Sequence, residues 1–185
     1  MDKESKKIIG LFSRYIVIIL AGLGNLYLFY KILTPITIVV LRWAISIFTT
    51  PVFTNNFIFI KGIAIIEIVP ACIAGAAFYL LFILIFSSAD IEPIKRLYAA
   101  ITAFAILFVL NILRILLLIP MIRLSYFAVL HWTFWHLLST VFVLAAWFAV
   151  VKIYKIKSIP GYSDLKYMKS LMQSGKKTKR KKKNK

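Results

Sequence analysis

The stretch RLYAAITAFAILFVLNILRILLLI, residues 96–119, holds no acidic residue and a single interior cation, Arg114. It exceeds the roughly 20 apolar residues that carry an α-helix across a bilayer. Water cannot be the solvent of such a segment unless the rest of the chain covers it. The rest of the chain is no better supplied with polar surface. Of 185 residues, 62% are hydrophobic, and the mean hydropathy is +0.89. A soluble domain of this size cannot hide that much apolar side chain, so lipid is the expected solvent.

Four further apolar blocks flank this one, at Ile8–Leu33, Thr34–Ile47, Pro70–Ser88 and Tyr126–Tyr154. The first and last are long enough to cross, and the third is near the limit. The second is short, contains Pro35 and Arg42, and reads as re-entrant or tilted, with Arg42 snorkelling to the headgroups. GLGNLY at 22–27 has a GxG pair but no third glycine, and falls inside an apolar helix rather than in a nucleotide loop. Residues 52–69, VFTNNFIFIKGIAIIEIV, are rich in β-branched and aromatic residues around Lys61-Gly62. That pattern predicts a short hairpin turning at Gly62. Open sheet edges are excluded from hydrocarbon, so the hairpin belongs at the membrane surface. The expected fold is an all-α multi-pass transmembrane bundle of four to six spans, with this β-hairpin at the outer face ahead of a reactive helix. Residues 1–155 form one transmembrane domain, with 52–69 as the hairpin segment and 70–153 as the core. Residues 156–185 form a basic, disordered cytoplasmic tail.

Charge sets the expected orientation. Lys and Arg number 24 against 6 acids, a net charge of +18, and eight of the last ten residues, KKTKRKKKNK, are cationic. Such a cluster after the last span marks the cytoplasmic side, beside anionic lipid headgroups. Nucleic acid is not the expected partner. With the tail inside, the fifth block runs outside to inside, SSADIEPIKR is a cytoplasmic loop, and the hairpin lies outside. The N-terminal lysines also ask to be inside, which requires an even number of crossings.

Polar residues inside the blocks are few. Arg114 lies about 9 Å below the outer end of its helix, at 1.5 Å per residue, and Asn111 shares its face. The bland reading of Arg114 is a snorkelling side chain. The last block opens YFAVLHWTFWHLLST, where Trp132 and Trp135 read as an interfacial belt flanked by His131 and His136. Their spacing of five does not suit a metal site, and neither a metal nor a cofactor is expected. The chain's lone cysteine, Cys72 in EIVPACIAG, opens the third block just after Pro70. One cysteine excludes an intramolecular disulfide and a CxxC centre. Cys72, Arg114 and His136 come from three spans yet fall at one end of the bundle. A thiol in a first helical turn is biased toward thiolate by the helix dipole. An arginine can hold an oxyanion, and an imidazole can carry the proton. On a soluble fold these groups suggest cysteine acyl transfer.

The order of motifs resembles the exosortase/archaeosortase family of membrane cysteine transpeptidases, its archaeal branch in particular. ACIAG at 71–75 opens a span, NILR at 111–114 sits on the next, and HLLS at 136–139 on the last. The resemblance covers roughly residues 50–150. It implies Cys72 as nucleophile, with Arg114 and His136 completing the catalytic set and Asn111 or His131 in supporting or substitute roles. It also implies exported substrate proteins that end in a short motif, a transmembrane helix and a basic tail. A membrane lipid is then the amine acceptor. Ile73 and Leu137 stand where many members have a serine and an acid. A rival reading is an insertase-like or scaffold protein that uses the intramembrane arginine on incoming polar segments and the tail on ribosomes or lipid.

Overall fold

The computed structural model describes residues 3–24, 26–55, 57–60, 64–89 and 91–170. It is mostly helical. Three helical stretches are long and apolar enough to cross a membrane: Tyr27–Ser46, Pro93–Arg123 and Phe127–Tyr154. Two shorter apolar helices, Ile8–Gly22 and Pro70–Phe86, pack with them.

The first apolar block is not continuous. Helix α1 (Lys3–Gly22) ends at Gly24, whose φ of +67° suits a residue without Cβ, and α2 (Tyr27–Ser46) begins after Leu26, also left-handed. Leu23 and Gly24 therefore stand at a break between helices rather than inside one. The second block is correspondingly longer than expected. Pro35 lies inside α2 and the helix continues through it, so this segment is one continuous apolar helix, long enough to cross a membrane. Pro35 forfeits one main-chain hydrogen bond, which neighbouring helices make tolerable.

The two helices run on in the same direction. The Tyr79 hydroxyl of α4 donates to the Ile18 carbonyl, and its ring meets Phe29 edge-on at 5.9 Å. Arg14, one turn earlier, reaches the carbonyl of Ser88 at the far end of α4, whereas Leu41 and Ile45 pack near Ile73 and Ile112 at the opposite end. Together α1 and α2 make one offset pass along the bundle. Helix α3 (Pro70–Ile73) and α4 (Gly75–Phe86) return, α5 (Pro93–Leu118) goes back, and the last pass descends from Phe127 to Tyr154. That pass comprises α6 (Phe127–Thr133), a π-helical turn over Phe134–Leu138, and α7 (Ser139–Tyr154). A 3₁₀ turn, Ile119–Arg123, closes α5.

The lower core joins Phe29, Phe78, Leu81, Leu107, Trp147 and Val150, with Ala99, Ala103 and Ala146 fully covered where α5 and α7 approach. Small residues at these positions let the helices come close. Large apolar side chains such as Val39, Val109 and Phe148 point outward, as lipid-facing residues do.

The β-rich segment forms a three-stranded antiparallel meander rather than one hairpin. Strands β1 (Pro51–Thr54), β2 (Phe57–Ile60) and β3 (Ala64–Glu67) pair in chain order. The expected β2–β3 pairing is present, while its turn, Lys61-Gly62, lies outside the described residues. The additional strand arises because Thr54 pairs with Phe57 across Asn55-Asn56, and Asn55 is left-handed at φ 51°. Asparagine tolerates that conformation better than most residues. Ile58 and Ile60 alternate inward onto Leu41, Ile45 and Ile112, so the sheet caps the upper end of the bundle. Arg42 lies exposed over the Phe53 ring of β1, 4.9 Å from its centroid. At the other end, residues 162–170 form a helix, α8, where a disordered tail was expected, and Asp164 within it is buried. Residues 171–185 of that tail lie outside the described residues.

Candidate active site

Cys72 sits in a helix interrupted almost as soon as it starts. Pro70 initiates α3, and the Cys72 amide donates to the Val69 carbonyl at 2.8 Å. Two residues on, Ala74 adopts φ 59°, ψ 32°, and α4 begins afresh at Gly75. An L-residue with a Cβ pays about 1–2 kcal/mol for that left-handed conformation. The break also leaves carbonyls at the end of α3 without the partners that a continuous helix would supply.

Arg114 and Asn111 supply them. Asn111 Nδ2 donates to the Cys72 carbonyl at 2.9 Å. Arg114 Nη2 donates to the carbonyls of Ala71 and Cys72, at 3.1 and 3.3 Å, and its Nη1 donates to Ser139 Oγ at 2.7 Å. Arg114 is only 4% exposed, so it does not snorkel. One buried guanidinium ties α3, α5 and α7 together. Among the described residues, its buried Nε has no hydrogen-bond partner.

These contacts change the electrostatic expectation for the thiol. A four-residue helix has little dipole to offer, and the dipole of α4 begins beyond Ala74. The local cation is Arg114, engaged with the main chain around Cys72.

Cys72, half-buried, and Arg114 line a cavity of about 290 Å³ beneath β3, with Glu67, His131 and Trp135 on its walls and mainly aliphatic side chains elsewhere. Ligand pockets commonly hold ~300–1,000 Å³, so this one is at the small end. The histidine in this cavity is His131, which stacks on Phe127 with centroids 5.7 Å apart. His136 does not share it. The His136 ring is exposed between Trp132 and Trp135, its Nδ1 lies 3.1 Å from the Trp132 carbonyl, and it lines a neighbouring cleft with Ala71 and Ser139. Five residues turn a regular helix by about 500°, so the two rings face about 140° apart on sequence spacing alone.

Three residues were missed as members of this site. Ser139 was visible only as a hydroxyl in an apolar span. Glu67 was visible as the acid nearest the cysteine. Trp135 separates the cavity from the cleft, where the sequence suggested only an interfacial belt. Comparison with known proteins finds no matching family model, no matching curated protein and no matching solved structure.

Proposed function

We propose that this chain is a membrane-embedded cysteine peptidase and transpeptidase, with Cys72 as nucleophile. The observation carrying this reading is that Cys72, Arg114 and His131 line one cavity at one end of the bundle. His131 takes the place first given to His136. In the proposed reaction the Cys72 thiol gives its proton to His131, and Sγ attacks a peptide carbonyl of the substrate. The tetrahedral oxyanion collapses, the C–N bond breaks, and His131 returns the proton to the leaving amine. An acceptor amine then attacks the thioester, His131 removes its proton, and the thiol is regenerated. Arg114 acts as a positioning residue, holding the main chain around Cys72 through the Ala71 and Cys72 carbonyls.

The substrates are exported proteins whose C-terminal motif is followed by a transmembrane helix and a basic cluster. A lipid amine is the acceptor. Lys95, Lys152, Lys155 and Lys157 cluster at the end opposite Cys72, which supports a cytoplasmic side there and an outward-facing thiol. On this reading, with four passes, α1 starts and α8 lies on that same side. The insertase-like alternative needs an arginine open to incoming segments, whereas Arg114 is buried and bonded to its own chain.

Intact-mass analysis of the chain purified from its native membrane tests the mechanism. A substrate adduct on the wild type that hydroxylamine removes, missing from Cys72→Ala, is the expected result. A hydroxylamine-resistant adduct, or the same adduct on Cys72→Ala, would count against it.

A further inference from the structure

We propose that the end of the bundle opposite Cys72 holds a binding site for a phosphate group, in the first instance the headgroup of an anionic phospholipid. The site lies where α1, the α4–α5 connection and α8 meet, around a cavity of about 340 Å³ lined by Arg14, Arg96, Asp164 and Tyr167. Two guanidinium groups converge there on one carbonyl oxygen. Arg14 Nη1 and Arg96 Nη2 both donate to the Ser88 carbonyl, at 3.0 and 2.8 Å.

Among the described residues lining this cavity, two arginines face one carboxylate. Asp164 is buried and is taken up by Arg14, at 2.8 Å, and by the Tyr15 hydroxyl, at 3.2 Å. Arg96 is 8% exposed and, among the described residues, makes no ion pair. Among the described residues, its Nε and the Tyr167 hydroxyl are buried with no hydrogen-bond partner. A buried cation whose nearby carboxylate is already taken up by another arginine is costly, and so is a buried donor without an acceptor. A phosphate group answers both, because its oxygens match the guanidinium fork and accept from a hydroxyl.

The surroundings favour lipid as the source. Lys95, Lys166 and Lys169 flank the site, and Ile159, Tyr162 and Leu165 present apolar surface beside it, the pattern of a segment lying at a headgroup layer. The site is independent of the chemistry proposed for Cys72.

The test uses the purified full chain in nonionic detergent at constant ionic strength, titrated with dihexanoyl-phosphatidylglycerol or with inorganic phosphate while Tm is followed. A saturable rise in Tm is expected for the wild type. The midpoint should move at least about tenfold to higher concentration in Arg96→Gln, the loss of one charged hydrogen bond, and by a smaller factor in Tyr167→Phe. The second variant keeps its shape and guards against misfolding of the first. A response to the lipid alone assigns the headgroup, and a response to both probes assigns the phosphate group itself. No saturable rise with either probe overturns the proposal. So does the same midpoint in the wild type and both variants, which would place binding on the basic tail.

Discussion

Asn111 donates its side-chain N–H to the main-chain carbonyl of Cys72, 2.9 Å away, from a helix that the cysteine segment meets only in the folded bundle. The bond acts on the backbone of the proposed nucleophile rather than on its sulfur. Asn111→Leu keeps the volume and removes the donor, leaving a buried carbonyl short of a partner at a cost of about 1–3 kcal/mol. The expected outcome is a lower Tm in detergent with a smaller fractional loss of processing than Cys72→Ala causes. An unchanged Tm would contradict the assigned role.

Arg114 answers to geometry as well as charge. Its fork reaches Ser139 on α7 and two carbonyls on α3 at once. Arg114→Lys retains the cation but presents a single nitrogen, which cannot span those acceptors. It should therefore lose stability and processing almost as fully as Arg114→Gln. Ser139→Ala, which removes one of the acceptors, should cost about 1 kcal/mol. Parallel thermal unfolding of the three variants measures both effects.

The two histidines separate cleanly by position. His131→Ala should lower substrate processing by about 100-fold or more, the usual contribution of a general base. His136→Ala should leave most of it, because that ring sits in the neighbouring cleft. The ratio of processed to unprocessed substrate in cells reads the difference. The reverse order would return the role to His136.

Ala74 separates the cysteine turn from α4 through its left-handed backbone. Ala74→Gly relieves the Cβ penalty and should raise stability by up to about 1 kcal/mol. Ala74→Val adds β-branching at positive φ and should unfold the segment or restore a continuous helix, withdrawing the Cys72 carbonyl from Arg114. Tm and thiol alkylation rate, compared across the pair, check this.

Much of this site was legible as depth along helices. Counting residues from the ends of apolar blocks brought Cys72, Arg114 and His136 to one end, with Asn111 on the Arg114 face, because an α-helix advances uniformly. The structure joins Asn111 and Arg114 to the Cys72 carbonyl but leaves His136 in the neighbouring cleft. The breaks were not legible. Leu26 and Ala74 are ordinary helix formers, so nothing in their residue types marks the left-handed backbones they adopt. The choice between His131 and His136 depended on which face of the last pass meets β3 and Cys72, which the sequence does not mark. Asn55-Asn56 did carry a turn signal, outweighed in the sequence by the stronger one at Lys61-Gly62. The buried Asp164 was hidden in a stretch whose lysines suggested a solvated tail.

The most direct test of the central claim replaces Cys72 by Ala in the native host and maps the C-termini of its exported proteins by mass spectrometry. A thiol nucleophile predicts that proteins ending in an apolar span and a basic cluster keep that ending in the Cys72→Ala strain and lose it in the wild type. Identical C-termini in the two strains, with the variant present in the membrane at the wild-type level, would contradict it.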